Sequence, residues 1–403
     1  LSLRIITRKS KEVMDIRKEI ADLKDELIAL RRDFHMHPEL GFQEVRTSKI
    51  VGDYLTNLGL EIKRGVGKTG VVGLLKDKRE GKTAMLRADM DALPIQELND
   101  VSYKSQNDGV MHACGHDGHT AMLLIAAKTL AKHKSGIKGN IKFVFQPCEE
   151  TMPGGAKAMV DDGVLENPHV DAAFGIHLTS ALPTGMVGLR EGAMMAAGDK
   201  FTVDIVGKGG HGASPHLTVD PIVASSNVIQ ALQTIASREA NPIEAMVLTV
   251  GKIEGGTAFN VIPSAVRFTG TVRTLNESLH KEIPDKMERI IKGVCEAFRA
   301  QYKLDYQAGV PVLVNNPQKV KLVKSVAKEV VGKDRIVDYH TMGYDDVSYF
   351  LQEVPGAYYF IGSGNKDKGT DYPHHNPHFD IDEDSLLIGT EMHVKGVLGF
   401  LGS

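Results

Sequence analysis

What most constrains this chain is a change of rhythm near residue 197. Before it, apolar runs of strand length, at residues 70–75, 83–88 and 141–145, are interspersed with stretches of helical period. Ile16, Ile20, Leu23, Leu27 and Leu30 recur at three- and four-residue steps, which predicts one amphipathic helix over 11–34. A second helix is predicted over 47–58, where Gly59 ends it, and a third over 120–133. Strands alternating with helices predict an α/β fold, helices around a mostly parallel sheet.

After residue 197 the order is strand (201–206), helix (220–236), two strands (245–254 and 265–274), helix (278–302) and strand (303–307). Asp220 before Pro221 gives the first of these helices its start signal. This β-α-β-β-α-β order predicts a compact two-layer unit. From about Asn315 the earlier alternation resumes. The chain is therefore expected to form a larger domain over 14–196 and 314–403, interrupted by a satellite domain over 197–313.

Composition narrows the classes of function. The 403 residues carry a formal net charge of −3 and are 42% hydrophobic, as expected of a folded globular chain. The longest apolar run, Ala121 to Ala127, is seven residues, against about 20 needed to span a membrane. The charge balance gives no sign of a nucleic-acid partner. Three Cys cannot form a disulfide framework, so a cytoplasmic location is expected. Residues 1–13 are basic but too short in apolar stretches for an export signal, and Met14 reads as a natural start. Against those three Cys stand 16 His and no Trp. That excess raises a metal or acid–base question.

Glycine-rich segments do not answer it with a nucleotide. Gly67-Lys68-Thr69 and Gly81-Lys82-Thr83 have Ile62 and Lys76 where a phosphate-binding loop needs glycine. Residues 207–212 fit G-x-G-x-x-G, but Ser214 and Pro215 intervene before any helix. The turn instead displays His211. Metal-ligand side chains concentrate elsewhere: Asp89-Met90-Asp91, the run from His112 to His119, Glu149-Glu150, His177 and His374-His375. These fall at predicted strand ends, where ligands of open α/β sheets gather. The mixture of imidazole, carboxylate and thiol suits zinc, manganese or similar divalent ions. Adjacent Glu149 and Glu150 allow one acid to hold metal while the other moves a proton.

The segments His35-Met36-His37-Pro38-Glu39-Leu40-Gly41, Arg87-Ala88-Asp89-Met90-Asp91-Ala92-Leu93-Pro94 and Cys114-Gly115-His116-Asp117-Gly118-His119 resemble the M20 metallopeptidase and amidohydrolase family. The branch they resemble holds hippurate hydrolases, N-acyl-L-amino-acid amidohydrolases (aminoacylases) and auxin-conjugate hydrolases. Gln146-Pro147-Cys148-Glu149-Glu150, Gly209-Gly210-His211, Asn260-Val261-Ile262-Pro263 and His375-Asn376-Pro377 continue the match in order, from about Ile16 to Gly396.

The resemblance implies a catalytic domain with two divalent ions per subunit (Mn, Zn, Co or Ni). The matching ligands are Cys114, His116, Glu150, His177 and His375, with Cys114 in the bridging position and Glu149 as general base. Asp89, Asp91, Asp117 and His119 fit positions behind the ligands, orienting their imidazoles. The satellite implies a homodimer or higher homo-oligomer, in which His211 and Asn260 reach a partner's active site. Arg273 matches an anchor for the substrate carboxylate, a task that suits its planar fork. The implied reaction is removal of the acyl group from an N-acyl-L-amino acid by water attack on the amide, on a small N-acyl amino acid or short peptide. Alternatives are a dipeptidase or carboxypeptidase, an N-acetyl-diaminopimelate deacetylase, or a non-catalytic metal-binding scaffold. Two segments depart from the family pattern: Cys148 stands where Ala is common, and Tyr344-Asp345-Asp346 where Ser-Glu-Asp is common.

Overall fold

The computed structural model describes residues 15–77 and 81–402. The expectations for residues 1–13 and for the start of the first helix lie outside them. The chain divides into two compact units: one comprises the chain up to Met194, Val314–His340 and the residues from Asp345 on; the other is Met195–Leu313 with Thr341–Tyr344.

The larger unit is built on an eight-stranded mixed sheet. In spatial order the strands are Glu61–Val66, Gly70–Leu75, Asn140–Gln146, Thr83–Asp89, Ala172–Pro183, Gly356–Gly364, Val187–Gly188 and Ile336–Val337. The four strands from Asn140–Gln146 to Gly356–Gly364 are parallel, and the first two run antiparallel at one edge. Every residue of Thr83–Asp89 and of Gly356–Gly364 is buried, which is why these strands read as continuous apolar runs. Glu61–Val66 was not expected: it is a mostly exposed edge strand whose polar residues carry no apolar run.

Two helices differ from expectation. The first is broken into Ile16–Ala21 and Lys24–Met36. Asp22, a residue whose side chain competes for nearby backbone, caps the shorter piece. The predicted helix over 120–133 starts earlier, as His116–Lys132, because Gly115 takes a left-handed φ of 87° and turns the chain into it. Ala121 to Ala127 are wholly buried there. At roughly 1.5–3 kcal/mol per large apolar side chain, Met122, Leu123, Leu124 and Ile125 anchor the helix firmly. His116 is thereby fixed at the carboxyl side of the sheet. No helix among the described residues is long and apolar enough to cross a membrane.

The smaller unit has the expected β-α-β-β-α-β order. Its antiparallel sheet runs Met246–Gly255, Ala265–Thr274, Ala197–Val206, Gln301–Val310. Phe201, Val203 and Ile205 alternate onto the face covered by helices Pro221–Thr234 and Glu277–Ala297. Asp220 and Asn276 cap these helices, accepting backbone N–H bonds with their side chains. The unit also takes in Thr341–Tyr344, outside the expected satellite: the Ala196 N–H donates to the Gly343 carbonyl at 2.9 Å.

Candidate metal centre

Three strands, one helix start and one loop of the larger unit deliver the candidate ligands and their supports. Thr83–Asp89 ends on Asp89, with Asp91 two residues on. Gly115 and the first helical turn after it present His116, flanked by Cys114. Asn140–Gln146 leads through Pro147 and Cys148 (φ 48°) into Glu149 and Glu150. His177 lies opposite Phe360 within Ala172–Pro183; the strand continues past it instead of ending there. His375 is held by its own backbone, its N–H donating to the Ala113 carbonyl at 2.8 Å.

These side chains converge on Cys114. Its buried Sγ lies 3.6 Å from His177 Nε2. His375 Nε2 lies 3.2 Å from Glu150 Oε1, and His116 Nε2 lies 4.0 Å from the same oxygen. Donor atoms fall within 4.8 Å of one another in the sets Cys114–His116–His177, Cys114–Glu150–His375 and His116–Glu149–Glu150. Cys114 belongs to two of them. His116 Nε2 is buried and makes no hydrogen bond, a cost that a cation would relieve. One thiol, three imidazoles and carboxylates of this kind fit divalent zinc, manganese, cobalt or nickel. His374, the neighbour of His375, is also close. Its ring stacks on His177 at 5.1 Å and its Nδ1 lies 3.8 Å from Cys114 Sγ.

Without a cation the site is electrostatically uncomfortable. Burial, then Glu150 and Glu149, pushes the Cys114 thiol well up. Burial, then Asp345 and Glu150, does the same to Glu149. Burial opposes protonation of His116, but Asp89 and Asp91 outweigh it and raise the ring to about 10. His177 moves the other way, pushed well down by burial and by His119 and His374. A thiol and a carboxyl that resist ionising, beside rings of opposite tendency, are a setting in which bound cations set the charge.

The supporting residues divide. Asp91 touches two candidate ligands: its backbone carbonyl is 2.9 Å from His116 Nδ1, and its Oδ2 accepts the Glu150 N–H at 3.0 Å. Asp89 binds His119 Nδ1 at 2.6 Å, and His119 Nε2 accepts the Leu178 N–H at 2.8 Å. His119 thus fixes the backbone beside His177, not a ligand ring. Asp117 does not orient a ligand imidazole either. Its Oδ2 is taken by Arg31 Nε at 2.8 Å and His35 Nδ1 at 2.7 Å, within a buried network that includes Asp380. It faces away from the thiol because it sits one residue around the helix from His116.

Several residues given no role in the sequence reading stand around Glu149. Asp345 and Asp346 lie with Glu149 in one acidic set. Fully buried Arg87 faces these acids, reaching Asp89 Oδ2 at 2.6 Å, Asp345 Oδ1 at 3.1 Å and Asp346 Oδ1 at 3.2 Å. Glu44 accepts the Cys148 N–H at 2.8 Å, holding the approach to Glu149. The Cys148 thiol itself is buried and pushed up to about 12 by that burial. Arg87 lies two residues before Asp89 on a wholly buried strand, and a cation in such a run was the available signal.

In the smaller unit, Gly210–His211 pairs antiparallel with Val261–Ile262, and the Gly212 N–H donates to the Asn260 carbonyl at 2.8 Å. His211 and Asn260 are therefore neighbours on one exposed ribbon. His211 Nδ1 accepts the Ala213 N–H at 3.0 Å, which leaves Nε2 as the protonated, outward donor. Arg273 sits on Ala265–Thr274, half-buried, with Nη1 donating to the Val272 carbonyl at 2.9 Å.

The profile of Peptidase family M20/M25/M40 matches residues 85–398. Thermostable carboxypeptidase 2 of Saccharolobus solfataricus is 41% identical over 392 residues, covering 96% of this chain and 98% of that protein. N-acyl-L-amino acid amidohydrolase of Geobacillus stearothermophilus is 47% identical over 302 residues, 75% of this chain and 81% of the relative. Among solved structures, the Bacillus subtilis YXEP protein, described as a dinuclear metal binding peptidase from the M20 family, superposes with a TM-score of 0.82. It shares 32% identity, over 95% of this chain and 99% of that one.

Proposed function

This chain belongs to peptidase family M20/M25/M40, and from that premise we propose that it removes the acyl group from N-acyl-L-amino acids. It is a metal-dependent hydrolase of amide bonds. Cys114, His116, Glu150, His177 and His375 would hold two divalent ions. When bound, such ions polarise the scissile carbonyl and lower the pKa of water toward neutrality. The donor set suits Mn, Zn, Co or Ni.

The observation that carries the reading is the position of Glu149. It is buried, and its carboxylate shares one donor set with His116 and Glu150 and another with Asp345 and Asp346. In this reading Glu149 takes the proton of the attacking water and delivers it to the leaving nitrogen. His211, through its Nε2–H, donates to the developing oxyanion in the partner subunit. Asn260 and Arg273 hold the substrate carboxylate. Exposed Phe259, Ile222 and Val261 line a groove beside the His211 ribbon, which supports self-association as a homodimer. Asp89, Asp91 and His119 support the ligands and the strand that bears His177. A cytoplasmic location is part of the same reading, supported by three unpaired cysteines.

A carboxypeptidase activity is the second reading, favoured by the similarity to the Saccharolobus enzyme. The test is Glu149→Gln, assayed on a panel of N-acyl amino acids and short peptides with metal content measured in parallel. We expect a metal-loaded, folded variant whose turnover falls by about 10²–10⁴, the range for a lost general base. Full activity in that variant would remove Glu149 from the mechanism. A wild-type preference for peptides over acyl amino acids would select the second reading.

A further inference from the structure

We propose that Tyr344 is a positioning residue that holds the Arg273 guanidinium ready for a substrate carboxylate. This rests on the reading of Arg273 as the carboxylate anchor.

Three observations within the smaller unit converge on it. The Tyr344 ring lies over the guanidinium, with its centroid 4.7 Å from Cζ. Arg273 Nη1 donates to the Val272 carbonyl at 2.9 Å and to Thr271 Oγ1, so one branch of the fork is tied to protein. Its acidic neighbour Asp199 presents its backbone carbonyl to Nη1 at 3.5 Å, while the Asp199 carboxylate is taken by His280 Nε2, the Tyr306 hydroxyl and the Gly309 N–H. Burial lowers the pKa of Arg273. A half-buried cation stacked on one face and tied on one branch, beside an acid already engaged by other donors, keeps the other branch of its fork for a substrate carboxylate.

Tyr344 reaches this place because the backbone is arranged to bring it there. Thr341–Tyr344 joins the smaller unit: Thr341 bridges Met195 in parallel and the Gly343 carbonyl accepts from Ala196. The ring then packs on Gly198, where an added Cβ would lie 2.6 Å from Tyr344 Cδ1. Only glycine leaves that space. The ring therefore does for Arg273 what a rigid wall does for a flexible arm: it removes alternative rotamers before an anion arrives. A serine at this position, the residue common in the resembled family, has no ring to do so.

The test uses the full-length, metal-loaded enzyme with an N-acyl amino acid and its carboxamide counterpart. Tyr344→Ala should raise KM for the free acid about 3- to 20-fold, the range for a partly desolvated cation–π contact. Its kcat should stay within about twofold, and its kcat/KM preference for acid over carboxamide should narrow by the same factor. Tyr344→Phe keeps the ring and should retain the wild-type KM. Gly198→Ala, which displaces the ring, should move the preference in the same direction as Tyr344→Ala. The proposal is overturned if Tyr344→Ala leaves the acid KM unchanged, if it weakens acid and carboxamide equally, or if Tyr344→Phe behaves like Tyr344→Ala. Arg273→Ala separates the two layers. If it leaves the acid KM unchanged, the anchor reading itself fails; if it raises that KM while Tyr344→Ala does not, only the role of Tyr344 fails.

Discussion

Replacing Arg87 by Met tests whether one cation holds together the acids beside the candidate centre. The guanidinium is wholly buried, 2.6 Å from Asp89, 3.1 Å from Asp345 and 3.2 Å from Asp346, with Nε donating to Gln146 Oε1 at 2.8 Å. Met matches its apolar stem, so little cavity forms, but Asp345 and Asp346 then lose their shared cation and Asp89 keeps only its histidine neighbours. Removing one partner of a buried ion pair costs about 3–5 kcal/mol, a large part of the roughly 5–15 kcal/mol that holds a domain folded. At about 2 °C per kcal/mol for a domain of this size, Tm should fall by roughly 6–10 °C. The assay is thermal melting followed by circular dichroism, at fixed protein and metal concentration because bound metal also shifts Tm. Arg87→Met combined with Asp346→Asn should recover part of the loss, since one of the uncompensated charges is gone. Arg87→Lys should lie between, keeping the charge but not the fork that serves two acids at once. A Tm for Arg87→Met within about 2 °C of wild type would refute the reasoning. So would a double variant less stable than the single one.

Two further outcomes concern the proposed chemistry. Chelation should abolish turnover and lower Tm, and added manganese, zinc, cobalt or nickel should restore both; activity indifferent to chelator would remove metal from the account. An inactive His211→Ala protein mixed with inactive Glu149→Gln should regain activity in mixed dimers, because one of the two centres then has both groups. Verified mixed dimers without activity would confine His211 to its own subunit or to structure.

Much of the fold was legible because burial writes itself into runs of apolar residues. Gly70–Leu75 coincides with a predicted strand, and the satellite's order followed from alternation in Ala197–Val206 and from the Asp220-Pro221 start signal. What escaped has specific causes. The helix His116–Lys132 begins in Cys114-Gly115-His116-Asp117-Gly118-His119, where ligand chemistry overrides apolar periodicity and only the left-handed Gly115 marks the start. Glu61–Val66 is an exposed edge, so it has no apolar signature. Within the site, the candidate donors were nameable from motif order, whereas their supports were not. Asp117 and His119 differ by two residues on one helix, yet one pairs with Arg31 and the other accepts the Leu178 N–H. That partition depends on which face of the helix meets which neighbour. Arg87, Asp345 and Asp346 become neighbours only through sheet order, across 258 positions of sequence for the first pair.

The order of the strands also governs when the centre can come into being. Ala172–Pro183, which carries His177, takes one of its two parallel neighbours from Gly356–Gly364, beyond the whole intervening satellite. Pairing so distant in sequence must close a long loop before any contact rewards it, and such topologies fold slowly. During synthesis, Cys114, His116, Glu150 and His177 therefore emerge long before His375 and the acid at Asp346. The satellite, contiguous apart from Thr341–Tyr344, can mature in that interval as a self-contained intermediate. Until the ribosome has passed His375, a nascent chain presents only a partial set of metal donors, and chemistry waits on the closing strand.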